Sequence, residues 1–220
     1  YTNINDAFAN SVPGDVVRIL GNRSQNSSGT EDDTLKALED IEAYEVGFSR
    51  LLGLPLADGA KMQIPQGVTV MVDEGAVIKL RRADIGVGST DSVVDRSASS
   101  LQVYGTPRLL KWNDQWEPVE VHQDLAGHSV TGHVYFTSLH DAEVGQGTNP
   151  DLNPPAAEAG DWGGLGYRHR VDRGQESRFV YETEGIFLNS VAFADIRYGG
   201  GIVEVDSIPQ VVRPIDLTDA

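Results

Sequence analysis

Cysteine is absent from the 220-residue chain, which removes disulfides, thiolate zinc sites, iron–sulfur clusters and thiol nucleophiles together. Positive charge is scarce: 17 Lys and Arg stand against 33 Asp and Glu, a formal net charge of −16. That balance repels phosphate backbones and anionic lipid, so nucleic-acid binding and membrane-surface binding are disfavoured. No apolar run reaches the ~18 residues of a membrane-spanning helix. The chain opens at Tyr1 without Met or a signal-peptide pattern and reads as an excised or processed piece. Aromatics and Met are sparse, whereas the 24 glycines exceed the usual share, which is ~7% of a chain. The expectation is a soluble, acidic, Gly-rich domain of a length that suits a single β-architecture.

Short elements appear in order along the chain. Ile4, Ala7 and Phe8 fall at i, i+3, i+4, the spacing of a short amphipathic helix. Pro13-Gly14-Asp15 is a turn that feeds a strand at Val16-Val17-Arg18-Ile19-Leu20. Residues 21–30 are Asn-, Ser- and Gly-rich and read as a loop. Leu35, Leu38 and Ile41 then predict a short helix over 31–42, with Thr30 as its N-cap. From residue 61 the beat is strands and tight turns. Val68, Val70 and Val72 alternate with Thr69 and Met71, Asp73-Glu74-Gly75 turns the chain, and Val77-Ile78-Lys79-Leu80 follows. Further strands are expected around Val103, Val134, Leu165 and Ile196, each 31 residues after the last.

Short strands at a regular period, separated by Gly turns and almost without hairpin signals, mark a stacked solenoid. The expected fold is all-β, a right-handed parallel β-helix, with Val, Ile, Leu and Phe of these strands pointing inward. Residues 1–45 read as a partly helical N-terminal cap and 46–220 as coils. An insertion at about 107–133 carries a two-stranded flap turned at Asn113-Asp114. The beat still runs at Ile202 to Val205 and Val211-Val212. An open end there exposes strand edges, so further coils of the same polypeptide or self-association are the expected partners.

Five segments, in this order, carry a resemblance: residues 64–76 (IPQGVTVMVDEGA), 101–107 (LQVYGTP), 135–141 (YFTSLHD), 160–165 (GDWGGL) and 194–201 (ADIRYGGG). Across roughly 44–210 the chain resembles the β-helix regions of very large bacterial surface or secreted proteins of planctomycete and cyanobacterial type. The resemblance implies an extracellular or cell-surface location and a structural or adhesive role, with no established catalytic residues to carry over. The 107–133 insertion departs from the pattern.

The chemistry-bearing groups are few. Asn149, Asp151 and Asn153 place three side-chain oxygens at i, i+2, i+4, with Asp141 and Glu143 nearby. Calcium takes six to eight oxygens, which makes these five residues a candidate calcium loop, although Pro154 and Gly160 depart from the EF-hand pattern. The competing reading is a solvated loop. Trp112 and Trp116 flank the flap turn and are candidates for contact with carbohydrate or another surface protein, unless they fold back onto the coils. Trp162, between Gly160-Asp161 and Gly163-Gly164, reads as a packed corner. His122, His128, His133 and His140 follow no zinc spacing. Asp195 and Arg197 share a strand face at i, i+2 and read as a surface ion pair, with no second acid at strand spacing to complete a hydrolase. Nucleophile-elbow, zincin and phosphate-loop motifs are missing. The leading expectation is a non-enzymatic structural module. A carbohydrate-active β-helix enzyme and a carbohydrate-binding module are the alternatives.

Overall fold

Alternation of apolar and polar residues decides which side chains each strand buries. In the computed structural model, Val68, Val70 and Val72 are fully buried while Thr69, Met71 and Asp73 between them are only partly covered. The structure describes residues 1–21, 37–50, 52–89, 94–121, 131–147, 154–168, 188–205, 208–211 and 215–219. Within them nearly all of the regular secondary structure is strand, and no described helix is long and apolar enough to cross a membrane.

Three four-stranded parallel sheets carry the fold. The first holds β1 (Val16–Ile19), β4 (Thr69–Asp73), β7 (Ser100–Tyr104) and β12 (Ser190–Ala192), in that order. The second runs β2 (Tyr44–Gly47), β5 (Val77–Arg81), β10 (Val134–Ser138) and β13 (Ala194–Ile196). The third runs β3 (Met62–Gln63), β6 (Asp84–Val87), β11 (Gly164–Arg168) and β16 (Ile215–Asp219). Successive ladder strands therefore visit the sheets in the cyclic order first, second, third, and then begin again. Two antiparallel hairpins interrupt the cycle: β8 (Leu109–Trp112) with β9 (Pro118–Val121), and β14 (Ile202–Val205) with β15 (Ile208–Val211).

Corners between sheets need backbone that bends sharply. Gly75 (φ 73°) turns β4 into β5 without steric cost. Arg82 (φ 50°) and Phe193 (φ 48°) each turn one strand into the next as single left-handed residues, β5 into β6 and β12 into β13. A side chain in that region costs roughly 1–2 kcal/mol, so neighbouring rungs must hold these corners in place. Inward rows of Val70, Leu101 and Val103 from the first sheet, Ile78, Leu80 and Phe136 from the second, and Ile85 and Leu165 from the third meet in one core. Each such side chain stabilises the fold by roughly 1.5–3 kcal/mol.

Three details differ from the sequence-based expectation. The 31-residue interval is a ladder step only between β4 and β7, where Val70 pairs with Leu101 and Val72 with Val103. Val103, Val134 and Leu165 lie in three different sheets, because hairpins and loops of unequal length separate the rungs. Ile202 to Val205 forms an antiparallel hairpin rather than another rung. Of the helix expected over 31–42, residues 31–36 lie outside the described ones, and the described part is a single 3-10 turn, Leu38–Asp40.

The N-terminal segment seals one end of the sheets. Helix α1 (Ile4–Ala9) starts at Asn3, whose side chain accepts the Asp6 N–H, and it buries Ile4 and Ala7. Asp58 ties that helix to β2: one carboxylate oxygen accepts the Ile4 N–H at 2.9 Å and the other the Glu45 N–H at 2.7 Å. Gly47 exchanges further backbone bonds with Leu56 and Gly59, so the outer edge of β2 is covered. β1 and β2 are already ladder strands, paired with β4 and β5.

Candidate functional site

Period-2 alternation turns Glu45, Lys79 and Thr137 outward on the second sheet, and strand register sets them side by side. Val77, Tyr135 and Asp195 form the next outward row, with Arg197 just beyond β13. Segment 139–147 folds back over this face. Its backbone joins residues 38–43 through Gly145 to Leu38, Gln146 to Ile41 and Ala43 to Gln146. Val144 packs into a second apolar cluster with Ile41, Val77 and Tyr135. Gly145 is required there: its φ is 70°, and a Cβ would stand 2.7 Å from Val77 Cγ1.

Beneath the covering segment lie polar groups that are almost wholly buried. Lys79 Nζ donates to the carbonyls of Asp141 and Gly145 at 2.7 and 2.6 Å. Burial pulls the Lys79 ammonium below its ordinary pKa, against the opposing pull of Asp141 and then Glu45. Asp141, 2% exposed, accepts the Thr137 hydroxyl at 2.6 Å and the Glu143 N–H at 3.0 Å. Asp161 accepts Ser138 Oγ and the Glu158 N–H, with His140 Nδ1 3.7 Å away.

The exposed rim belongs to Arg197 and its neighbours. Its guanidinium stands 3.9 Å from Asp141, 3.8 Å from Glu143 and 3.8 Å from Asp195, and lies over the Tyr135 ring. His133 Nδ1 is 3.4 Å from the other Asp195 oxygen, and its ring leans towards Tyr135 and Phe193. Trp162 is fully buried and donates its indole N–H to the Arg197 carbonyl at 2.7 Å, which makes it a packed corner.

Of the five candidate calcium residues, Asp141 and Glu143 are brought together, but around the Arg197 guanidinium. Asn149, Asp151 and Asn153 lie outside the described residues. Among the described residues no three His, Asp or Glu are grouped to hold a metal ion. On the hairpin, Asn113 Oδ1 accepts the N–H groups of Gln115 and Glu117, and this turn presents Trp116, 77% exposed with φ 59°. Trp112 lies in β8 opposite Pro118, and its side chain is outside the described ones. His122 and His128 are also outside them.

The chain matches no family model, no curated protein and no solved structure.

The functional reading therefore rests on the geometry of this face. Asp141, Asp161 and Asp195 are each engaged by a hydroxyl, a backbone N–H or a cation that also holds the fold. Sequence reasoning had singled out Asp141, Glu143, Asp195 and Arg197, but it missed Lys79 and Thr137 as the groups that clamp the covering segment. Their outward placement was readable from alternation; the segment that covers them was not.

Proposed function

We propose that the chain is a non-enzymatic structural module, a run of coils of a right-handed parallel β-helix in a large extracellular surface protein. The cyclic passage of successive strands through three parallel sheets supports the coil stack. One observation carries the structural role: on the face richest in ionisable groups, Asp141, Asp161 and Asp195 serve as acceptors for groups of the fold itself. A hydrolase needs two carboxylates poised across a glycosidic bond, one of them carrying a proton to give. Asp195 instead stands between His133 and Arg197. Incubating the protein with pectin, alginate and other acidic glycans tests this. No depolymerisation is expected, and depolymerisation that disappears on Asp195→Asn overturns the reading in favour of a carbohydrate-active enzyme.

A second reading has one observation in its favour. Trp116 is held out on a hairpin turn, the placement with which a carbohydrate-binding module stacks on a sugar ring. Glycan binding lost on Trp116→Ala, with folding intact, supports it.

A further inference from the structure

We propose that the hairpin tip at Trp116 is a contact point for a neutral polysaccharide, with Trp116 as the stacking platform and Asp114 and Glu117 turning acidic glycans away. The backbone of the turn does not favour this residue. The Asn113 N–H donates to the Glu117 carbonyl at 3.0 Å, and the Trp116 N–H donates to the Asn113 carbonyl at 2.9 Å. A three-residue hairpin loop of this kind closes with a left-handed residue at its third position, where glycine is usual. Here that position holds Trp116, with φ 59°. A bulky side chain is rarely found in that conformation.

Packing does not account for the ring either, because Trp116 is 77% exposed. Arg82 and Phe193 share the left-handed backbone, but they sit at corners between ladder strands, where neighbouring rungs hold them. Trp116 stands instead on a hairpin inserted between β7 and β10, in the middle of the chain. Asn113 fixes it there: its Oδ1 accepts the N–H groups of Gln115 and Glu117 at 3.0 and 2.8 Å. A large ring held against the backbone's preference and away from the core marks a surface made for an outside contact.

The size and charge of the tip select the occupant. A stable protein interface takes ~800 Å² from each partner, several times the ~150–250 Å² that one aromatic side chain buries. The apolar C–H face of a single sugar ring matches a single indole. Asp114, Gln115 and Glu117 are exposed beside it, and they offer carboxylate acceptors and an amide to sugar hydroxyls. The turn, residues 113–117, carries two carboxylates and no cation, in a chain of net charge −16. Uronate and sulfated glycans are repelled by that field. An uncharged glycan is not.

This deepens the carbohydrate-binding reading and rests on it. Affinity electrophoresis in native gels tests both, with xyloglucan, galactomannan and hydroxyethyl cellulose as neutral probes and polygalacturonate and alginate as acidic ones. At least one neutral glycan should retard the wild type, and neither acidic glycan should. Trp116→Ala should weaken that binding about tenfold or more with an unchanged circular dichroism spectrum, the loss expected for the central ring of a contact. Trp116→Tyr keeps a stacking ring and should retain most of the binding. Trp116→Gly suits the left-handed position, so it should lose binding as Ala does, with a urea midpoint no lower than that of the wild type. Acidic glycans bound as strongly as neutral ones, through the same Trp116, refute the neutral class and leave the carbohydrate-binding reading standing. No retardation by any of these glycans, or retardation that Trp116→Ala leaves unchanged, overturns both. A midpoint lowered by Trp116→Gly reveals a ring that packs on the fold and overturns the proposal.

Discussion

Replacing Lys79 by Met asks how much the buried ammonium holds. Met keeps an unbranched apolar stem, so the change removes the charge and its donors with little loss of packing. The carbonyls of Asp141 and Gly145, now paired at 2.7 and 2.6 Å, would be left buried without that donor. An orphaned buried acceptor costs about 1–3 kcal/mol, so two cost about 2–6. Relief of the ammonium's desolvation offsets part, leaving a net loss of about 3 kcal/mol. With a urea slope of about 3 kcal/mol/M, the midpoint should fall by about 1 M at unchanged slope. The pH dependence has a definite sign. Burial holds the folded pKa of Lys79 below its ordinary 10.5, so the unfolded chain binds this proton more tightly. Stability should therefore rise with pH between the lowered value and 10.5, and the Met variant should lack that rise. A neutral amine still has two N–H groups for the two carbonyls. A midpoint shift corresponding to less than about 1 kcal/mol, or a gain in stability, would show that Lys79 does not clamp segment 139–147.

Gly145→Ala combines left-handed strain with a Cβ 2.7 Å from Val77 Cγ1, and should cost about 2–4 kcal/mol in thermal or chemical denaturation. Asp58→Asn leaves either the Ile4 or the Glu45 N–H facing an amide donor, a loss of about 2 kcal/mol measured by urea titration. Burial holds the Asp58 carboxyl above its ordinary 3.8, so the folded chain binds that proton more tightly. The contribution of Asp58 to stability should rise as pH falls through the raised value towards 3.8, and Asn should abolish that slope. Calcium binding by the loop of Asp141, Glu143, Asn149, Asp151 and Asn153 predicts a melting temperature lowered by chelator and restored by millimolar calcium; identical melting curves dismiss it.

What the sequence disclosed was local. Val68, Val70 and Val72, with Leu101 and Val103 after them, advertise inward rows because a strand alternates its faces, and Pro13-Gly14 marks the turn into β1 through backbone chemistry alone. The Gly pairs around Trp162 likewise announced a packed corner. Long-range pairing was not legible. The even 31-residue spacing of Val103, Val134, Leu165 and Ile196 suggests one repeating ladder, yet successive members of the series lie in different sheets joined by unequal connections. Lys79 reads as an outward residue of β5, but its acceptors lie 62 and 66 residues further on. Asp58 sits in a loop with no pattern around it, and only the fold brings Ile4 and Glu45 to its two oxygens.

The stacked order of the first sheet can be measured directly, because the cysteine-free chain accepts spin labels at chosen positions without background. Arg18, Met71, Gln102 and Ser190 are register partners on successive rungs. Labels at 18 with 71, 18 with 102 and 18 with 190 should report backbone separations that grow by about 5 Å a rung, to about 10 and then about 14 Å. A 18–190 separation no greater than 18–102, or a 18–71 separation far beyond one strand spacing, would contradict the parallel stack on which the scaffold role depends.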